Sequence, residues 1–191
     1  MNTNNSIEEE IEGRISLGNK AFYANQGLFK RKPLTKNSKL QMYKTLDRPA
    51  VTYACETWVL KGNIKTKLRV FVRKVLRRIY GPTKEKEGTL WIKSNEELNR
   101  LTGNTNIIKY IKAQRLAWFG HVHHMPDNSM VKIAYEWSPT LTRSRGRPKN
   151  RWEDDVKERH NKDENNKLEG LHQNRTKWKT LVEKAKTALK L

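Results

Sequence analysis

The most constraining stretch is residues 64–80, IKTKLRVFVRKVLRRIY. Leu68, Phe71, Val72, Val75, Leu76 and Ile79 recur three and four residues apart, the spacing of one face of an α-helix. The remaining positions carry Lys65, Lys67, Arg69, Arg73, Lys74, Arg77 and Arg78, and no acid occurs from Val59 through Thr83. Gly81-Pro82 then stops the helix. The apolar stripe is wide enough to belong to a core, so the helix is expected to be packed on one side and basic on the other. A calmodulin- or membrane-binding helix looks similar, as does the solvated face of any packed helix.

The rest of the chain decides between these readings. Its formal net charge is +20, from 40 Lys and Arg against 20 Asp and Glu. Such an imbalance says little about fold, but it attracts polyanions, of which nucleic acid is the commonest. Nucleic-acid contact is therefore the favoured role for Arg69, Arg73, Lys74, Arg77 and Arg78, and membrane binding is not expected. Hydrophobic residues are 35% of 191, a low share, yet they cluster at helical spacing and still permit a core.

A single cysteine, Cys55, excludes a disulfide framework and a zinc site built on several thiolates. The opening MNTNNSIEEEIEG is unlike a secretory signal or an Arg-rich transit peptide. No apolar run approaches the roughly 20 residues needed to span a bilayer. A reducing compartment, nucleus or cytoplasm, is expected.

Helical periodicity predicts an all-α fold. Residues 6–24 place Ile7, Ile11, Ile15, Gly18 and Phe22 on one face, and Gly18 there implies close packing against another helix. Residues 25–36, with Gly27 and Pro33, read as a loop. A second helix follows, capped by Thr35 or Asn37, with Leu40, Tyr43 and Leu46 inward. Pro49 suits the first turn of a third helix, residues 49–59. Ser94 and Glu97 form a capping box for a helix containing Leu98 and Leu101 that Gly103 ends. Thr105 is a candidate cap for residues 106–120, with Ile107, Ile108, Ile111, Trp118 and Phe119 inward. Pro126-Asp127 opens a helix through Trp137. Residues 138–151 read as a linker or extended arm, and residues 161–174 as loose and polar. A last helix, about 175–190, is expected to bury Trp178, Leu181, Val182, Ala185 and Leu189. No repeat and no convincing strand set is visible.

In order along the chain, "RISLGNKAFYA", "KLQMYKTLDRPAVTYACETWVL", "LRVFVRKVLRRIYGP", "SNEELNRL", "IKYIKAQRLAWFGHVHHMP" and "RGRPKNRWEDDV" resemble the C-terminal part of a non-LTR retrotransposon reverse transcriptase, downstream of the polymerase palm. The resemblance runs from about residue 7 to 187. Tyr53–Trp58, Leu76–Pro82, Arg115–Met125 and Gly146–Asp154 are its most specific blocks. It implies a thumb-like helical region over residues 1–60, a basic helical extension over 61–138, a basic arm over 139–151 and a helical segment over 152–191. It also implies a grip on template RNA, RNA–DNA hybrid or target DNA, with Arg115 in one of the matching blocks. Two positions depart from the family pattern. Asp47 stands where an apolar residue is usual, and Asn25-Gln26-Gly27 interrupts a stretch that is otherwise helical.

The family's Tyr/Phe-x-Asp-Asp hairpin, which holds two metals for polymerase chemistry, is missing from this sequence, as is an endonuclease domain. The chain is therefore expected to be non-catalytic on its own, without cofactor, metal or small-molecule substrate. Its oligomeric state is left open. Asp154-Asp155 follows Trp152-Glu153, and Trp152 and Val156 lie four apart. This reads as the start of a helix, where acids favour the dipole, with Glu153, Asp154 and Asp155 facing solvent.

Arg143, Arg145, Arg147, Lys149 and Arg151 are basic at every second position, and Gly146 and Pro148 oppose a helix. An extended chain projects such residues to one side, on the order of 6–7 Å apart, which suits a phosphate backbone. Arg145–Lys149 is also similar to an AT-hook, whose arginines enter the narrow minor groove of A·T-rich DNA. A standalone DNA-binding protein, or a degenerate retroelement fragment without a selected function, are the competing readings. His121, His123 and His124 sit at a helix end, where the dipole and free carbonyls favour histidine, with too few ligand partners for zinc. Among the six tryptophans, core packing is the default, base stacking suits one or two, and Trp91 between Leu90 and Ile92 fits no pattern.

Overall fold

A computed structural model describes residues 6–84, 88–102, 106–137, 152–156 and 174–187. The fold is all-α. Its elements are α1 (Ile7–Ala24), α2 (Gln26–Lys30), α3 (Lys36–Met42), a π-helical turn (Tyr43–Asp47), α4 (Arg48–Thr52), a 3₁₀ turn (Cys55–Thr57) and α5 (Gly62–Tyr80), followed by α6 (Asn95–Leu101), α7 (Ile107–His123), α8 (Met130–Glu136), a helical segment at 152–156 and α9 (Arg175–Thr187). Between α5 and α6, β1 (Thr83–Lys84) pairs antiparallel with β2 (Leu90–Trp91), Thr83 opposite Trp91.

Contacts divide the chain into two units. One comprises residues 1–54, 60–108 and 189–191, and the other 55–59 and 109–188. The first takes in both the N-terminal helices and α5, so its bounds differ from the 1–60 and 61–138 segments read from the sequence.

In the first unit α5 packs against α1, α2, α3 and α6. Every predicted apolar position of α5 is buried, together with Ile64. Gly81 ends the helix at φ 69°, a backbone region that favours glycine, and its N–H donates to the Arg77 carbonyl at 3.0 Å. In α1, Ile11, Gly18 and Phe22 are buried, whereas Ile7 is exposed and Ile15 half-buried. A Cβ on Gly18 would lie 2.1 Å from Val51 Cγ2 and 3.1 Å from Phe71 Cζ. The close packing expected at Gly18 is present, and it brings α1, α4 and α5 together.

Several elements differ from the sequence reading, each for a local reason. Residues 26–30 form α2 instead of loop, because Phe29 is buried and sits 5.7 Å from the Phe22 ring. Thr35 is the cap of α3, accepting from the Ser38 N–H at 3.1 Å. The π-helical turn then inserts an extra residue into the helical register. Tyr43 stays inside, but Leu46 is turned out at 48% exposure and Asp47 is turned in at 0%. α4 stops at Thr52, well short of residue 59, because Tyr53 is extended and Ala54 adopts φ 57°. Pro49 does lie in its first turn. Of the two leucines in α6, Leu98 is buried and Leu101 exposed.

Asp47 has one oxygen satisfied, accepting from Asn25 Nδ2 at 3.0 Å, while the buried Oδ2 has no partner among the described residues. Burial pushes this carboxyl above its ordinary value of 3.8, against the opposing Asn25 hydrogen bond.

In the second unit, Leu116, Phe119, Val156, Trp178 and Val182 form the core, with Tyr135, Trp152, Leu181 and Ala185 partly buried against it. α7 continues to His123, three residues beyond the expected end, and Trp118 on it is only half-buried. α8 starts at Met130, after a turn at Pro126. A Cβ on Gly120 would lie 1.8 Å from Trp178 Nε1, so only glycine lets α9 approach α7 there. Gly103, Thr105 and Leu189, and the expected linkers at 138–151 and 161–173, lie outside the described residues.

Two outcomes follow. Gly18→Ala should lower stability by about 1–2 kcal/mol in urea unfolding, since overpacking by a stiff β-branched neighbour outweighs alanine's helix propensity; on a Val51→Ala background the same change should cost nothing. For Asp47 the raised folded pKa means the folded state binds the extra proton. Its contribution is therefore fully present below about pH 4 and lost as pH rises through the raised value. Asp47→Asn should unfold at higher temperature than the parent at pH 7, with the gap closing near pH 4.

Candidate nucleic-acid interface

Because α5 buries its apolar stripe against four other helices, its charged side chains emerge on the opposite side. Arg69, Arg73 and Arg77 follow at four-residue steps, about 6 Å of rise each. Neighbouring groups divide these cations into held and open ones. Lys67 pairs with Glu12 of α1. Lys74 donates to Asn19 Oδ1 at 2.9 Å and stands 4.6 Å over the Tyr23 ring. Arg77 donates from Nε to the Lys93 carbonyl at 3.3 Å and from Nη2 to Asn95 Oδ1 at 3.0 Å. Arg73 is half-buried, and its charge acts on Glu96. That carboxyl is held below its ordinary value first by its own backbone N–H and the Ser94 hydroxyl, then by Arg73 and Arg100. Arg69 and Arg78 are exposed, with no hydrogen bond or ion pair to either among the described residues.

The capping box at Ser94 and Glu97 also anchors the strand pair. Ser94 Oγ accepts from the Glu97 N–H at 3.1 Å. The Glu97 carboxylate accepts from Lys93 Nζ at 2.6 Å and from Thr83 Oγ1 at 2.9 Å, and these two bonds hold it below its ordinary value.

Arg115 requires a correction. It lies within the second unit, its side chain 2% exposed, and does not belong to a basic surface. Its Nη1 donates to Asp155 Oδ2 at 2.5 Å and its Nη2 to the Trp152 carbonyl at 3.1 Å. The guanidinium also lies 5.7 Å from the Trp152 ring centre. The expected trio of solvent-facing acids is corrected with it, since the Asp155 side chain is only 15% exposed. Asp154 is exposed and Glu153 half-buried. Trp152 is fixed a second time by its indole N–H, which donates to the Glu56 carbonyl at 2.7 Å.

His123 Nδ1 lies 2.9 Å from the Phe119 carbonyl and its ring packs 4.1 Å from Phe119. His121 is exposed beside Trp118, and His124 is half-buried. Among the described residues no three His, Cys, Asp or Glu gather to hold a metal. Burial pushes the Cys55 thiol up to about 12, helped by the Glu56 charge, so it is a protonated core group. Arg143, Arg145, Arg147, Lys149 and Arg151 lie outside the described residues. Among the described residues no helix is long and apolar enough to cross a membrane.

Comparison with known proteins gives a weak likeness. The chain is 24% identical over 161 residues to an uncharacterised transposon-derived protein of Caenorhabditis elegans. The match covers 82% of this chain and 56% of the relative, so the chain spans little more than half of that protein's length. The likeness fits a transposon-related origin. No family model and no solved structure matches.

The Arg115 geometry gives a direct test. Asp155→Ala should cost about 3–5 kcal/mol in chemical unfolding, because it strands a buried guanidinium. The double change Arg115→Met/Asp155→Leu should cost clearly less than the single one. Equal stability of Asp155→Ala and the parent would return Arg115 to the surface.

Proposed function

We propose that this chain is a nucleic-acid-binding module, non-catalytic on its own, derived from the thumb and C-terminal extension of a non-LTR retrotransposon reverse transcriptase. Its role is to grip template RNA, RNA–DNA hybrid or target DNA. The observation that carries the proposal is the solvent side of α5, where Arg69, Arg73 and Arg78 stand on a helix with no acid from Val59 through Thr83. Exposed cations on a rigid helix neutralise phosphates and release counterions, and a net charge of +20 adds long-range attraction. The transposon-derived relative supports the origin. The Arg115–Asp155 bond supports the non-catalytic reading, because it engages one member of the Asp154-Asp155 pair in a structural contact.

The arm from Arg143 to Arg151 is a second contact in this proposal, and binding assays separate its share from that of α5. On an RNA–DNA hybrid, Arg69→Ala/Arg73→Ala/Arg78→Ala should weaken binding at low salt. The slope of log affinity against log salt should fall by about 2–3, close to 0.9 per phosphate contact on duplex. Arg145→Ala/Arg147→Ala should weaken all ligands alike. A loss confined to A·T-rich duplex would instead identify a minor-groove arm. Weak binding of the parent chain to every nucleic acid at low salt would overturn the proposal and leave a retroelement remnant.

A further inference from the structure

The turn from α2 into α3 carries Lys30, Arg31, Lys32, Lys36 and Lys39. Lys30, Arg31, Lys32 and Lys36 are exposed, and Lys39 is half-buried. Among the described residues, no hydrogen bond or ion pair holds any of these five side chains. No acid occurs from Gly13 through Leu46. The next one along the chain, Asp47, is buried and accepts from Asn25, so it offers them no counter-charge at the surface.

Local electrostatics does not account for the group. Lys30, in the last turn of α2, suits the helix dipole. Lys36 does not, because it opens α3, whose first turn holds no acid. Lys36 and Lys39 lie three apart on one side of that helix and repel. Cations gathered against such local costs call for an anionic ligand.

The group also has a fixed shape and a fixed place. Phe29 is buried beside Phe22, and the Thr35 hydroxyl accepts from the Ser38 N–H. Both α2 and α3 pack against α5. The Lys36 ammonium stands 5.9 Å from the centre of the Tyr80 ring, so α3 begins at the C-terminal end of α5, in whose last turn Arg78 lies.

We infer that the Lys30–Lys39 turn is a second phosphate-backbone contact, which carries a bound nucleic acid past the C-terminal end of α5. The inference rests on the nucleic-acid reading above and deepens it by naming a further surface. A protein partner that reads a linear run of cations takes it extended, whereas the buried Phe29 and the Thr35 cap keep this one folded. A membrane surface takes apolar side chains among the cations, and the exposed residues from Lys30 to Ser38 include no large apolar one. A phosphate backbone needs only cations on a fixed surface, and their contribution is independent of base sequence.

The experiment is a fluorescence-anisotropy titration of the full chain with a labelled 20-base-pair RNA–DNA hybrid across a salt series. Lys30→Gln/Arg31→Gln/Lys32→Gln should lower the slope of log affinity against log salt by about 2–3, and Lys36→Gln/Lys39→Gln by about 1–2. Arg175→Gln/Lys177→Gln/Lys179→Gln removes as much charge from exposed positions of α9 and should leave the slope within about one unit of the parent's. Because neutralisation relieves repulsion, both turn variants should unfold at the same urea concentration as the parent or a higher one. The two variants change different residues, so either one tests the surface if the other is unstable. An unchanged slope in the turn variants, with the α5 triple variant reduced, overturns the second surface and leaves the α5 grip intact. An equal fall in the turn and α9 variants also overturns it, since total charge then explains binding. A loss seen only on anionic vesicles overturns it as well. Absence of binding by the parent at low salt would overturn the underlying reading itself.

Discussion

The approach of α1 to α4 and α5 at Gly18 is the constraint on which the first unit depends. With hydrogen in place of a side chain, Val51 and Phe71 pack directly over the α1 backbone. That contact fixes which side of α5 faces inward. α5 is a long amphipathic helix that carries basic residues and no acid on its opposite side, so fixing its rotation also fixes where that charge appears. Core and surface are two consequences of one helix orientation, and a change at Gly18 would reach the cations without touching them.

The second unit solves a different problem. The 152–156 segment is short, and so few residues cannot hold a helix on propensity alone. It is held instead by Val156 in the core, by the indole hydrogen bond to Glu56 and by the buried Arg115–Asp155 pair. A buried ion pair contributes little net stability over an apolar replacement, but it is expensive to half-remove. Its value here is positional: Arg115 reaches both Asp155 and the Trp152 carbonyl, and so sets the register of the segment on α7.

What the sequence discloses and conceals follows from the range of each signal. The α5 stripe, the Gly81 stop, the Thr35 and Ser94 caps and the close approach at Gly18 are local, encoded within one or two turns, and all were legible. The π-helical turn was not, because one extra residue in the register leaves no mark on composition. It exchanges Leu46 for Asp47 in the interior, opposite to what the apolar spacing implies. Asp47 as a departure from the family pattern was the available signal. Arg115 was misread because its partner lies 40 residues away, and a basic residue in a basic chain looks like more surface. Trp91 fitted no pattern because a two-residue strand has no period to detect.

Charge placement in the first unit argues for the surface more strongly than charge total does. Glu8 meets Lys61, Glu12 meets Lys67, and Glu96 and Glu97 meet Arg73 and Lys93. These acids lie along the borders of α5, where its flanks touch α1 and α6. Exposed pairs of this kind contribute about 0–1 kcal/mol each, too little to explain the fold. Their effect is on the field. They offset charge at Lys61, Lys67, Arg73 and Lys93, while Arg69 and Arg78 are exposed with no ion pair among the described residues. A chain whose basic residues merely kept it soluble would gain nothing from that segregation, and mixed signs would serve it better. The absence of any acid on α5 is the feature on which the proposed polyanion contact rests.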